Sequence, residues 1–230
     1  MALLTEAVEV VGYESCAGLK LDAQVQLPGG ATEMVVLAHG AGAGYDHANM
    51  LGISRGLAAH GFASLRFNFP FMQQGKRRVD SREVSTAAIA SAVDWAHRTY
   101  PNLRLWAGGH SFGGRMASHC ELDYELPIEG LVFCSFPLHP AKKPDRLRAK
   151  HLPFINKPML FMTGTRDALA DPLLLAEVVG ELGDRARLRW LDTADHGYKT
   201  LQRTRLHPSD VFDELGEHLA EFVTSHDARG

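Results

Sequence analysis

The segment 109–113, with the sequence GHSFG, carries the side chain best suited to nucleophilic chemistry. The pattern G-x-S-x-G is typical of a serine at a sharp turn between a strand and a helix, where the backbone is strained and flanking glycines avoid collisions. A glycine-rich helix N-terminus with a capping serine would show the same letters. The apolar run before the segment and the helical pattern after it favour the nucleophile, so Ser111 is predicted to attack a carbonyl carbon.

A base and an acid follow later in the chain, each directly after an apolar run. His196 could take the proton of Ser111, and Asp167 could hold that imidazole in one tautomer and stabilise the imidazolium. The order serine, aspartate, histidine is the order of one known family of triads. Asp171 is the alternative acid, but its position before Pro172 is typical of a helix cap, so Asp167 is preferred.

The glycine-rich segment 39–44, with the sequence HGAGAG, follows an earlier apolar run. A tetrahedral oxyanion needs two backbone donors, one from the residue after the nucleophile and one from the loop after an earlier strand. We therefore expect the amides of Phe112 and Ala41 to form the oxyanion hole, with Gly42 as the alternative to Ala41. A phosphate-binding loop is disfavoured, because no Lys-Ser/Thr pair follows and no acidic residue is placed to bind a ribose.

Apolar runs and helical patterns alternate along the chain, and the apolar runs are continuous, which predicts strands buried on both faces. This alternation favours a doubly wound, mostly parallel α/β fold in which ligands bind at the carboxyl ends of the strands. The predicted strands, of which the first two form a hairpin, are Val8–Tyr13, Leu19–Gln26, Met34–Ala38, Phe62–Phe67, Leu103–Ala107, Ile128–Cys134, Met159–Met162 and Leu188–Leu191. The predicted helices are Ala48–His60, Ser81–Thr99 (with Asp80 and Glu83 as a capping box), Phe112–Leu122, Pro172–Glu181 and Ser209–Ser225.

Length and composition limit the class of protein. The 230 residues are predicted to form a single domain, 1–230, with 45% hydrophobic and 22% charged residues. The net charge of -3 disfavours a nucleic-acid partner. The three cysteines have neither metal-site nor disulfide spacing, and we identify no signal peptide and no run of membrane-spanning length. The chain is therefore expected to be cytoplasmic, to have no membrane partner and to need no metal or cofactor. A homodimer is left open.

Basic residues near strand ends could influence the choice of substrate. Lys76-Arg77-Arg78 follows one strand, and a second group lies in the segment 135–156, where we expect a short cap-like insertion and an open site. A solvated surface is the simpler interpretation; the functional hypothesis is a carboxylate- or phosphate-bearing ester. The second group comprises Lys142, Lys143, Arg146, Arg148 and Lys150, and the tentative substrate contacts are His39, Gly42, His110, Arg66 and Arg115.

Taken together, the four motifs resemble the α/β-hydrolase superfamily along nearly the whole chain. The segments HGAGAG (39–44), RFNFP (66–70), GKRR (75–78), GHSFGGR (109–115) and FPLHP (136–140) further resemble the dienelactone-hydrolase-like branch, which includes the testis-expressed and NSL-complex subunit relatives. The resemblance implies an eight-stranded sheet and hydrolase chemistry but no particular substrate. Dienelactone hydrolases use a cysteine nucleophile, and this chain has Ser111 in that place, so their activity is not carried over.

The leading hypothesis is a serine hydrolase that acts on a small-molecule acyl substrate, such as a small ester or thioester, through an acyl-enzyme. Two alternatives stay open. One is a non-catalytic interaction module that keeps the fold, and the other is a small serine peptidase, which would share the same machinery and differ in its binding pockets.

Overall fold

Eight strands form one sheet in the computed structural model, which describes residues 7–14, 18–145 and 147–228. Their bounds are β1 Ala7–Glu14, β2 Lys20–Leu27, β3 Glu33–Ala38, β4 Ala63–Phe67, β5 Arg104–His110, β6 Gly130–Cys134, β7 Met159–Gly164 and β8 Ala186–Leu191. The spatial order is β1-β2-β4-β3-β5-β6-β7-β8. The first two strands and the β2–β4 pair are antiparallel, and the other pairs are parallel. The predicted doubly wound, mostly parallel eight-stranded sheet is confirmed.

Helices cover both faces of the sheet. Their bounds are α1 Ala48–Ala59, α2 Pro70–Gln73, α3 Arg82–Thr99, α4 Phe112–Tyr124, α5 Pro172–Glu181 and α6 Val211–Asp227, with 3-10 turns at Leu152–Phe154 and Gly183–Arg185. The sequence predicted all but α2 and the 3-10 turns, which are too short to show a helical period. Among the described residues, no helix combines the length and the apolar character that a bilayer span requires.

Strand β3 shows why its sequence is continuously apolar. Successive side chains of a strand point to opposite faces. Met34 and Val36 pack into the hydrophobic cluster on the side of α3, α4 and α5. Val35 and Leu37 pack into the cluster on the side of α1 and α6. Both faces of the strand are therefore buried, as the apolar run predicts.

The register of the parallel strands places several loops at one edge of the sheet. Ala38 pairs with Gly109 at the end of β3 and β5. His110 pairs with Cys134 at the end of β5 and β6, and Gly164 pairs with Leu191 at the end of β7 and β8. The loops that carry residues 39–47, 111, 167 and 196 consequently leave the sheet along the same edge.

The start of α3 corrects one prediction from the sequence. Ser81, and not Asp80, is the N-cap, and its hydroxyl accepts a hydrogen bond from the Val84 N–H at 3.4 Å. The Asp80 carboxylate instead accepts the N–H of Phe71 at 2.8 Å, at the start of α2. Both residue types are good N-caps. The sequence did not reveal α2, whose free amide competes for Asp80.

The segment between β6 and β7 contains one short 3-10 turn, Leu152–Phe154, among its described residues. The basic residue Arg146 lies outside the described residues. The assignment of 135–156 as a cap-like insertion in a single domain stays a prediction.

A buried ion pair joins the loop before α6 to the helix. The Arg205 guanidinium contacts the Glu214 carboxylate, and their side chains are 5% and 3% exposed. Burial alone would raise the pKa of Glu214, but the hydrogen bond with His218 and the charge of Arg205 outweigh it, so this pKa lies below its ordinary value of 4.5.

We expect the variant Glu214→Gln to be about 3 kcal/mol less stable than the wild type at pH 7, because a buried guanidinium loses its counter-charge. Since the folded pKa is depressed, the carboxylate stabilises the fold above the unfolded value of 4.5. This contribution disappears as the pH falls through the folded pKa. Urea unfolding of both proteins at pH 7 and at about pH 3.5 measures the difference. A gap between the two proteins that is unchanged at the lower pH would contradict the assignment.

Candidate active site

Three distant side chains meet at the carboxyl edge of the sheet. The Ser111 Oγ lies 2.8 Å from the His196 Nε2. The His196 Nδ1 lies 2.9 and 2.8 Å from the two carboxylate oxygens of Asp167. An Nδ1–H that donates to the carboxylate leaves Nε2 free to accept the serine proton. The geometry suits general-base activation of a hydroxyl.

The backbone at Ser111 is strained. It has φ 52° and ψ −115°, and it sits between β5 and the first turn of α4. A Cβ added at Gly109 would lie 2.0 Å from the Ala38 carbonyl oxygen, and one at Gly113 would lie 2.1 Å from the same atom. Glycine at both positions therefore allows strand, turn and helix to pack against the end of β3.

Burial and local hydrogen bonds fix the carboxylate. The Asp167 side chain is fully buried, whereas that of His196 is 26% exposed. One Asp167 oxygen also accepts the N–H of Leu169 at 2.8 Å. Asp171 caps α5, where its side chain accepts the N–H groups of Leu173 and Leu174. The two aspartates thus have separate places, Asp167 beside His196 and Asp171 at the start of α5.

A cleft of about 340 Å³ opens beside the serine. Its lining includes Ala41 and Gly42, whose loop is exposed. Phe112 is the first residue of α4, so its N–H is among the helix amides without an intrahelical partner. The positive end of the helix dipole also lies here. The cleft can therefore hold a small acyl group near backbone donors. The remaining lining residues are Gly40, Ala43, His47, Asn49, Met50, His110, Ser111 and His196.

His110 lines the cleft and also supports the loop that carries His196. Its Nε2–H donates to the His196 carbonyl oxygen at 2.9 Å. Burial lowers the pKa of His110 to about 4, so the ring is neutral at pH 7. The ring centres of His110 and His196 lie 5.2 Å apart. His110 is thus placed to position the His196 loop and to contact a molecule in the cleft.

His39 was predicted as a tentative substrate contact, and the structure corrects this. Its side chain is completely buried. The Nδ1–H donates to the Gly40 carbonyl oxygen at 2.7 Å, and Nε2 accepts the N–H of Phe69 at 3.0 Å. Burial lowers the pKa of His39 to about 4, so it stays neutral. It ties the glycine-rich loop to the loop after β4.

Arg66 is a second corrected contact. Its side chain is buried and its guanidinium donates to the Tyr45 carbonyl oxygen at 2.9 Å and to the Gln24 side chain. It therefore braces the loop that follows β3 and does not face the cleft. Arg115 is half-buried, and its Cζ lies 5.9 Å from the centre of the Phe112 ring.

Among the described residues, no group of three or more His, Cys, Asp and Glu side chains is arranged to hold a metal ion.

A family model described as an alpha/beta hydrolase domain matches residues 31–224 of the chain. The protein belongs to the alpha/beta hydrolase family. This match spans the loop after β3, the serine turn and both loops that carry Asp167 and His196. The predicted resemblance to the α/β-hydrolase superfamily is confirmed.

Solved structures of low sequence identity share the fold of this alpha/beta hydrolase. A dienelactone hydrolase from Anabaena variabilis is 19% identical, with a TM-score of 0.71, over 96% of this chain and 98% of the other. An α/β serine hydrolase without a lid from Xanthomonas campestris is 18% identical, with a TM-score of 0.68, over 94% of both chains. Est1E from Butyrivibrio proteoclasticus, solved with ferulic acid bound, is 16% identical, with a TM-score of 0.71, over 92% of this chain and 99% of the other.

The sequence did not identify three lining residues of this alpha/beta hydrolase, namely His47, Asn49 and Met50. They lie at the start of α1, where His47 is the N-cap and its Nδ1 accepts the N–H of Asn49 at 3.2 Å. The helical pattern of this segment gave no sign of a site. Their position directly after the glycine-rich loop is the signal that could have found them.

We expect His110→Met to lower kcat/KM of the hydrolase about fivefold, because the His196 carbonyl oxygen loses a buried donor worth about 1 kcal/mol. His110→Gln keeps an N–H at nearly the same distance from the backbone and should restore most of the loss. Ester hydrolysis by the two variants measures the effect. Equal activity of His110→Met and the wild type would contradict the positioning role.

Proposed function

We propose that the protein is a serine hydrolase that cleaves small esters, thioesters or related acyl compounds through an acyl-enzyme on Ser111. The observation that carries the proposal is the 2.8 Å contact of Ser111 Oγ with the His196 Nε2, made from a strained turn at a helix N-terminus. A serine hydroxyl is a weak nucleophile unless such a base removes its proton. Strain at this position is consistent with a functional constraint.

The mechanism follows from the same atoms. His196 takes the proton from Ser111 as its oxygen bonds to the carbonyl carbon, and the imidazolium is stabilised by Asp167. The amides of Phe112 and Ala41 donate to the oxyanion of the tetrahedral intermediate. The imidazolium returns the proton to the leaving group as the bond to the carbonyl carbon breaks. Water activated by His196 then hydrolyses the acyl-enzyme and regenerates the free hydroxyl.

The volume and exposure of the cleft support a small substrate. About 340 Å³ is near the lower end of ligand pockets. The segment between β6 and β7 adds one 3-10 turn within its described part, which favours an open site. Two solved structures of the same fold are described as an esterase domain and as a cold-adapted esterase. These descriptions of other proteins make esters the first class of substrate to test here.

A panel of p-nitrophenyl esters with acyl chains of increasing length, an acyl thioester and peptide p-nitroanilides tests the proposal. We expect ester turnover with a burst of p-nitrophenol equal to the enzyme concentration, and little amide cleavage. Comparable amide cleavage would favour the peptidase. Absence of any turnover or burst in the folded protein would favour the interaction module and overturn the proposal.

A further inference from the structure

Arg115 is a half-buried cation on the helix that begins directly after the proposed nucleophile. It lies one turn after Ser111 in α4, and its backbone N–H donates to the Ser111 carbonyl oxygen at 3.1 Å. Long side chains on a helix lean toward its N-terminus. Accordingly, the guanidinium lies 5.9 Å from the centre of the Phe112 ring. Its Nε is buried without a hydrogen-bond partner, and no ion pair joins this side chain to the described residues.

Arg148 approaches the same place from the segment after β6. Its backbone N–H donates to the Leu138 carbonyl oxygen at 2.7 Å, which holds it against the loop at the carboxyl end of β6. Burial lowers the pKa of Arg115, and the positive charge of Arg148 lowers it further, the direction expected for two guanidinium groups that repel each other. No hydrogen bond or ion pair from the Arg148 side chain to a described residue compensates for this.

Among the described residues, no carboxylate forms an ion pair with either arginine, and the neighbouring side chains are largely uncharged. The rings of His119 and His151 stack with centres 3.7 Å apart. Burial and the neighbouring cations lower their pKa values to about 4 and about 3, so neither ring is charged at pH 7. The carboxylate that acts on His119 is Asp123, which is already paired with Arg82. Two positive charges therefore remain without an ion-pair partner among the residues that the structure describes.

The other cations near the site do not share this arrangement. The terminal nitrogens of Arg66 donate hydrogen bonds to Tyr45 and Gln24, although its Nε is buried without a partner. Lys76, Arg77 and Arg78 are exposed to solvent, as are Lys142, Lys143 and Lys150. Solvation removes most of the cost of an exposed charge, but a half-buried guanidinium without partners is costly. An anionic ligand would offset that cost, because Arg binds carboxylate and phosphate oxygens with charge-assisted hydrogen bonds.

We propose that Arg115 and Arg148 bind an anionic oxygen group, a carboxylate or a phosphate, carried by the substrate whose carbonyl Ser111 attacks. This inference rests on the proposed function. Neither arginine lines the 340 Å³ cleft, so the substrate straddles the serine, with an uncharged part in the cleft and the anion toward α4. One helical turn, about 5.4 Å, separates the backbone positions of residues 111 and 115, which suits a short linker.

Matched esters test the inference in kinetics. The p-nitrophenyl esters of valeric acid, of glutaric acid and of 4-phosphonobutyric acid differ mainly in the charge at the end of the acyl chain. We expect the wild type to prefer at least one anionic ester in kcat/KM by about tenfold or more, with the preference falling as salt is raised. The carboxylate and phosphonate esters distinguish the two anions. Arg115→Gln and Arg148→Gln should each remove most of this preference, while Arg98→Gln, which removes an exposed arginine at the far end of α3, should not.

A binding measurement keeps the inference separate from the proposed function. Glutarate and inorganic phosphate, added separately, should raise the Tm of the wild type and of Arg98→Gln, and raise it less in Arg148→Gln. If no ester is hydrolysed but these shifts appear, the proposed function fails and the anion site stands. Equal kcat/KM for neutral and anionic esters, together with equal Tm shifts in the wild type and Arg148→Gln, would overturn the inference. The Arg115 side chain packs on Phe112, so Arg115→Gln could misfold. In that case Arg148→Gln still tests the inference.

Discussion

Replacing Ser111 with alanine is expected to lower kcat for p-nitrophenyl esters by about 10⁴- to 10⁶-fold, which is the range for loss of a nucleophile that acts with its base as a unit. The Oγ that lies 2.8 Å from His196 is the only atom removed. Residual catalysis would come from the cleft and the backbone donors alone. Initial rates of the purified variant, with the wild type diluted to the same rate range, measure the loss.

The fold should survive this change, because alanine differs from serine only by the loss of one oxygen at a partly exposed position. Ser225→Ala is a suitable control: its hydroxyl donates to the Phe222 carbonyl oxygen within α6 and takes no part in the site. We expect its activity to match the wild type. Retention of more than about a hundredth of the wild-type kcat by Ser111→Ala would contradict nucleophilic catalysis by this residue.

Replacing Asp167 with asparagine is expected to lower kcat by about 10³- to 10⁴-fold with little change in stability. The carboxylate is fully buried and receives the His196 Nδ1–H. An amide of the same shape can present its NH₂ to the ring, which favours the tautomer with the proton on Nε2 and removes the acceptor that Ser111 needs. It also leaves the imidazolium without a counter-charge. Single-turnover acylation rates across pH 6 to 9 would report the effect on the base.

Asp171→Asn is the matched control for this variant. The same carboxylate is lost four residues later, but Asp171 caps α5 and asparagine caps a helix about as well as aspartate. We expect near wild-type activity and a Tm within a few degrees. Similar losses from the two substitutions would mean that the negative charge of the loop acts generally and that Asp167 does not orient His196.

The sequence predicted the sheet because each strand carries its own signal. A run such as Met34–Ala38 is apolar at every position, which only a strand covered on both faces requires. The glycines around Ser111 likewise report a local steric need, since both lie against the Ala38 carbonyl oxygen. The placement of Asp167 and His196 followed from the rule that parallel strands share a carboxyl edge.

Residues whose role depends on a partner from another loop were harder to predict. His39 and Arg66 stand next to predicted strand ends, and from the sequence they appear as available as His110. Their burial depends on Phe69, Tyr45 and neighbours that only the folded chain brings near. The N-cap of α3 was misplaced for the same reason, because Asp80 is held by an amide of α2.

Arg115 and Arg148 also depend on contacts that the sequence could not reveal. From the sequence, Arg115 is predicted to contact the substrate because it lies close to Ser111 in the chain. Arg148 is only one of several cations in a basic segment. Spacing could not show which cations are half-buried and unpaired, because this depends on how the segment after β6 packs against α4. Burial separates Arg148 from the exposed lysines around it.

Mass spectrometry after treatment with a fluorophosphonate tests the central claim most directly. The reagent phosphonylates a serine whose hydroxyl is activated by a neighbouring base. The account predicts one adduct per chain, located on the peptide that contains Ser111, and none on the folded Ser111→Ala variant. An adduct on another serine, or no adduct on folded wild-type protein, would contradict it.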